Sequence, residues 1–198
     1  KVTAFFTDKQ INKLELAESV EVYQKPTEAN PKYTKTRAAR AVADIDGEVK
    51  RIELHENVEI ETATGNAKAT RLRSSLAIYD KPEDRFELKN GAEIITIEDE
   101  RPTTVRAQEA VYEQSNGKIF LNGNAEVTQA DTFVKGDALT AELFPNKKVK
   151  NAHARGNAYL KQTAAERTTE VSANELNAFY AENQQIQNAN AVGQANVV

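Results

Sequence analysis

The side chains that could do acid–base or metal chemistry are numerous here but are not arranged to do it. Asp and Glu total 30 against 26 Lys and Arg, for a formal net charge of -4. General acid–base catalysis needs two carboxyl groups converging on one reacting centre in different environments. In this sequence the carboxylates alternate with Lys and Arg at positions read as facing water, which describes a solvated surface. His55 and His153 are the only imidazoles, and neither has further ligands at metal-binding spacing. Both fall on the wet side of their segments. The chain has no Cys, so disulfides and thiolate metal sites are excluded. Arg71 and Arg73 could reach a phosphate, yet Leu72, Leu76 and Ile78 already define an apolar face without them, with Ser74 as the exception. No nucleophile elbow, HExxH, P-loop or dinucleotide fingerprint occurs. The acidic balance also argues against a nucleic-acid partner, which would call for a basic excess. The expectation is a protein that is not an enzyme, with no catalytic residues, no cofactor and no metal.

Apolar residues carry the stronger pattern. A short phrase recurs as ESVEVYQ at 18–24, ENVEIET at 56–62, NGAEIIT at 90–96, GNAEVTQ at 123–129 and GNAYLKQ at 156–162, with a truncated GQANV at 193–197. Its third residue gives the anchors Val20, Val58, Ala92, Ala125, Ala158 and Ala195, spaced 38, 34, 33, 33 and 37 residues apart. Such regularity marks about five and a half tandem repeats.

Within each repeat the apolar period is two, so the units are strands. One face reads Leu14, Leu16, Val20, Val22; Ile52, Leu54, Val58, Ile60; Phe86, Leu88, Ala92, Ile94; and Ile119, Leu121, Ala125, Val127. It continues through Ala152, Ala154, Ala158, Leu160 and then Ala189, Ala191, Ala195, Val197. The second half of each repeat repeats the theme: Val134, Gly136, Leu139, Ala141 and Leu143 match Val171, Ala173, Leu176, Ala178 and Tyr180. A shorter version is Val105, Ala107, Ala110, Tyr112. The odd step from 136 to 139 changes the phase, as a bulge would. Two residues before each anchor the inner face is broken by Glu18, Glu56, Asn90, Gly123, Gly156 and Gly193. Gly within a strand marks a bulge or bend, and these positions are read as the points where long strands cross from one layer to another.

Turns fall at Asp46-Gly47, at Asp80–Asp84 with Pro82, at Asn116-Gly117, at Pro145-Asn146 and at Glu182-Asn183. The only longer loop candidate is 25–35, with Pro26 and Pro31. The expected architecture is all-β: a single domain over 1–198, an antiparallel meander of bent strands. Its one apolar face would be buried by folding the sheet over itself. Hydrophobic residues make up 39% of the chain and aromatic residues 7%, a thin inventory that suits a shallow or open interior. The last segment, 188–193, has neither charge nor Pro, so its edge either invites strand addition by another chain or marks a sequence cut inside its last repeat. No run is long enough for a membrane helix. A strand-like start at Lys1 and the absence of Met lead us to expect that a signal peptide or anchor has been removed upstream.

The phrase GNA-x-V/L-x-Q, followed by a turn and V-x-G/A-x-x-L-x-A, resembles the OstA-like repeat of the periplasmic lipopolysaccharide-transport family, which comprises LptA, LptC and the N-terminal domain of LptD. GNAEVTQ with Val134–Ala141 and GNAYLKQ with Val171–Ala178 carry the resemblance most closely; the first three copies replace Gly-Asn by Glu-Ser, Glu-Asn and Asn-Gly. The opening Val2-Thr3-Ala4-Phe5-Phe6 is more similar to the start of an LptC-type domain, which implies an inner-membrane anchor just upstream. The resemblance implies a β-jellyroll in the periplasm that holds lipid A acyl chains of lipopolysaccharide, stacked end to end with other Lpt-type jellyrolls or with itself. The implied groove lining is Leu16, Val20, Val22, Ile52, Leu54, Val58, Ile60, Phe86, Leu88, Ile94, Ile119, Leu121, Val127, Leu139, Leu160 and Leu176. From the residues alone a second reading stays open, a β-solenoid scaffold with a dry, self-packed core. An enzyme in the form of a carbohydrate-processing β-helix is a distant third.

Overall fold

Strict two-residue alternation produces strands from one end of the chain to the other in the computed structural model, which describes residues 1–28, 31–64, 68–98, 101–164 and 167–198. They are β1 (Val2–Thr7), β2 (Gln10–Gln24), β3 (Lys32–Asp46), β4 (Glu48–Thr64), β5 (Lys68–Asp80), β6 (Arg85–Glu98) and β7 (Arg101–Glu113). There follow β8 (Lys118–Gln129), β9 (Thr132–Leu143), β10 (Val149–Ala164), β11 (Arg167–Tyr180), β12 (Ile186–Val192) and β13 (Asn196–Val197). All belong to one 13-stranded sheet in which β1 to β12 follow chain order, while β12 and β13 both pair with β11. Every pairing is antiparallel. The all-β meander of the sequence reading is therefore the observed fold.

The phrase positions are where each even-numbered strand turns a corner. Register breaks between Ala17 and Val20, His55 and Val58, Lys89 and Ala92, Asn122 and Ala125, and Arg155 and Ala158. Two consecutive residues at each break have left-handed backbone: Glu18-Ser19, Glu56-Asn57, Asn90-Gly91, Gly123-Asn124 and Gly156-Asn157, with Gly193-Gln194 continuing the series. A bulge of this kind bends and twists its strand. The first three copies make the same corner without the Gly-Asn pair. The breaks align across the sheet and divide nearly every strand into two arms.

The arms must cover each other. Val58 is 2% exposed, Leu88 1% and Ala125 0%, all on the same face. Among the described residues no helix and no second sheet is present to bury them. Only the sheet folded along its line of corners can do so, and this is the jellyroll arrangement.

Two local expectations are corrected. β3 begins at Lys32, so the segment between β2 and β3 is 25–31 rather than 25–35; residues 29–30 within it lie outside the described set. On β5 the alternation slips at the corner between Arg73 and Leu76. Leu72 and Ser74 face inward and so do Ala77 and Tyr79, which pair with Leu88 and Phe86. Leu76 and Ile78 consequently point to the outer face, where Ile78 is still only 6% exposed.

Candidate functional site

The inner face resolves into registered rows that run across the strands. Next to the corners, Val20, Ala38, Val58, Ala92, Ala107, Ala125, Ala158 and Ala173 are all buried, as is Ser74, whose hydroxyl donates to the Leu76 carbonyl at 3.0 Å. On the turn-side arm the adjacent row alternates large and small: Leu16, Ala41, Leu54, Ala77, Leu88, Ala110, Leu121. Large against small lets facing layers interdigitate, and most of this row is buried.

One step further from the corners the packing loosens. On one arm Ile52, Tyr79, Phe86, Tyr112 and Ile119 form a half-buried row. Towards the last strands Ala141, Ala152, Ala178 and Ala189 replace these large residues in the same row. On the other arm Leu72, Ile94, Val105, Val127, Val134, Leu160 and Val171 are likewise half-buried, while Ile60 in the same row is buried. The cross-section is a wedge, closed at the corner and open away from it.

The expected lining residues all fall on this inner face by register. Val20, Leu54, Val58, Ile60, Leu88, Leu121 and Leu139 are buried in the core cluster, and Leu16, Ile52, Phe86, Ile94, Ile119, Val127 and Leu176 pack against it. Leu160 is half-buried on the open side of the wedge. Val22 is 50% exposed, because it lies near the end of the sheet where, among the described residues, no further strand flanks it. Sequence reasoning missed Tyr79; its signal was the same phase slip recognised at 136–139, which recurs at 74–77.

Opposite charges in register occupy the outer face. Glu21, Arg37, Glu59, Arg73, Glu93 and Arg106 are direct cross-strand partners from β2 to β7. Their closest contacts, in order, are 3.1, 3.7, 2.9, 3.8 and 2.9 Å. The bond from Arg73 holds the Glu59 carboxyl below the usual carboxylate range, and that from Arg37 does the same for Glu21. Arg71 pairs with Glu61 at 2.6 Å, so both candidate phosphate-reaching arginines are spent on carboxylates. His55 lies 3.1 Å from Glu53 and His153 lies 3.3 Å from Glu175, on the same wet face. Among the described residues no group of three or more His, Cys, Asp or Glu converges.

Among the described residues the arrangement is thus an apolar inner face backed by an outer face of paired charges. Against known proteins, the family described as "LptA/(LptD N-terminal domain) LPS transport protein" matches residues 1–146. Among solved structures, the chain is similar to LptH from Pseudomonas aeruginosa, described as the LptA-homologous periplasmic component of the conserved lipopolysaccharide transport device. That similarity has 12% identity and a TM-score of 0.48, and covers 83% of this chain and 93% of LptH. No curated protein matches the sequence significantly.

Proposed function

The chain belongs to the LptA/LptD N-terminal-domain family of lipopolysaccharide-transport proteins, and from that premise we propose that its wedge holds the acyl chains of lipid A. The single observation that carries this reading is the burial gradient: rows beside the corners are closed, and aliphatic rows further out are half covered except at Ile60. An alkyl chain lying along those rows would complete their burial, at about 0.8 kcal/mol per methylene. The shift to Ala over β9 to β12 supports more room at that end. Transport of this kind asks nothing of the chain but a sheltered path, and energy enters elsewhere.

One sheet through all the described strands supports a single working domain, which we place in the periplasm as a segment of a transenvelope bridge. Its two ends support joining to further jellyrolls. β1 pairs only with the first arm of β2, so among the described residues Val20–Gln24 have no strand on their outer side. β12 and β13 form the opposite edge, and exposed apolar side chains gather at both ends, Val2, Phe6, Val22 and Tyr23 against Ile186, Val192, Val197 and Val198.

Photoreactive side chains placed at Ile94 and Val127, and at outward Glu126 as control, test the reading. Val58 is closed off by its own neighbours and suits a bulky probe poorly. Labelling of lipopolysaccharide from 94 and 127 but not from 126 is the expected result. Equal labelling from both faces, or none, would remove lipid from the wedge and leave a dry scaffold.

A further inference from the structure

Beyond the aliphatic row of the second arm, two residues further from the corner on the same inner face, runs a row made only of Thr and Gln. Its members are consecutive cross-strand partners from β2 to β11: Gln24, Thr34, Thr62, Thr70, Thr96, Thr103, Gln129, Thr132, Gln162 and Thr169. Strand propensity alone does not account for it. The outward neighbours at the same depth are charged at Lys35, Glu61, Arg71, Lys161 and Glu170 and uncharged at Ile95, Thr104, Thr128 and Phe133, whereas the inward row carries no charge on any of its ten strands.

The row has hydrogen-bonding capacity to spare. The Thr70 and Thr96 hydroxyls are 3.2 Å apart, and among the described residues the other side chains of the row have no hydrogen-bond partner. The Thr members between β3 and β9 are half-buried, at the lip of the wedge rather than in open water. A depression of about 410 Å³ opens on the row, lined by Thr96, Thr103 and Gln129 together with Glu98 and Arg101.

We infer that this row is a carbohydrate-contacting lip, taking the hydroxyl-rich sugar head of an amphiphile whose alkyl chains lie in the wedge. The inference rests on the lipid reading of the wedge and adds the part of the ligand that the lip recognises. Thr hydroxyls and Gln amides each donate and accept, as sugar hydroxyls do. The same groups recur at each strand, roughly every 4.8 Å. A head can therefore exchange one set of partners for an equivalent set as its chains slide along the wedge. A row of Arg or Lys would instead fix a phosphate by charge-assisted bonds about twice as strong.

Two probes with chains of closely matched length separate head from tail: dodecyl maltoside and dodecanoate, titrated below their micellar concentrations and followed by calorimetry. The variant T70V/T96V/T103V keeps shape and β-branching while removing three hydroxyls. Its maltoside affinity is expected to fall about tenfold while dodecanoate binding stays within about twofold. The T70S/T96S/T103S variant restores the hydroxyls and should restore maltoside binding. Exposed Gln129→Met gives a smaller loss of the same kind without touching the core, and serves if the triple valine chain folds poorly. Equal loss for both probes, or no loss for either, overturns the lip while leaving the wedge intact. Wild-type protein that binds neither probe overturns the wedge itself, and the lip with it.

Discussion

At each corner a residue of one strand and a residue of the strand before it compete for one space. In the last three copies the preceding strand contributes a polar side chain, Gln108, Asp137 or Asn174, and the corner opposite it is Gly123, Gly156 or Gly193. In earlier copies that strand contributes only Ala39 or Ser75, and the corner carries Glu56 or Asn90, with the Ser75 hydroxyl donating to the Asn90 carbonyl at 3.0 Å. A Cβ at Gly156 would press on the Asp137 carboxylate, with its Cγ only 2.8 Å away. The left-handed backbone is the lesser obstacle, because Asn90, Asn124 and Asn157 already adopt it. Gly156→Asn should therefore cost about 2 kcal/mol, mostly as overpacking. Adding Asp137→Ser reproduces the Ser75–Asn90 corner and should recover most of that loss, although it gives up the 3.1 Å bond from Asn157. Urea unfolding of the two single variants and the double variant reads the coupling directly. Simple additivity of the two losses would show that they do not share the space.

Strands are held to their neighbours outside by charge and inside by apolar contact, and acid separates the two. Glu21 and Glu59 titrate below their ordinary value because Arg37 and Arg73 bond their charged forms. Their unfolded counterparts titrate near ~4.3. A carboxyl depressed on folding contributes stability above the unfolded value, and that contribution is lost as pH falls through the folded one. The urea midpoint should thus drop on acidification from pH 5 to pH 3, and Glu59→Gln should drop less over the same interval; parallel curves would deny the ladder its part. The even-numbered strands were legible in the sequence because each carries the whole apolar phrase through its corner. The odd-numbered strands were harder. Their corner adds one residue, Ala39, Ser75, Gln108, Asp137 or Asn174, whose only trace is a slip in alternation. On β5 the slip was hidden, since outward Leu76 and Ile78 are also apolar, and Ile78 is covered by its setting between Glu53 and Glu87. Which inner residues are closed and which half-open was not legible, because depth is fixed only when the arms meet. Nor was the Thr and Gln lip, which exists as a row only after ten strands are put in register.

For the whole molecule the consequence of an unclosed sheet is two ends that differ in kind. The interior row that begins at Val2 passes through Leu16, Leu54, Leu88 and Leu121 and reaches Ala191 on β12, beyond which no strand pairs among the described residues. Proteins that keep such edges apart place Lys, Pro or an inward-pointing charge on the last strand. β12 reads IQNANAV and has none of them. A second copy that adds its first strands to β12 would pair the free backbone and continue the apolar row in one step, which links assembly to an unbroken path for an alkyl chain. Ala191→Lys supplies the missing inward charge at the end of the row, on a strand flanked on one side only, so the rest of the sheet should keep its stability. Sedimentation velocity of the wild-type chain is expected to show growing species as concentration rises, while Ala191→Lys stays monomeric with an unchanged thermal midpoint. A wild-type chain that remains monomeric throughout, or a variant that associates equally well, would mean that β12 is not the joining edge.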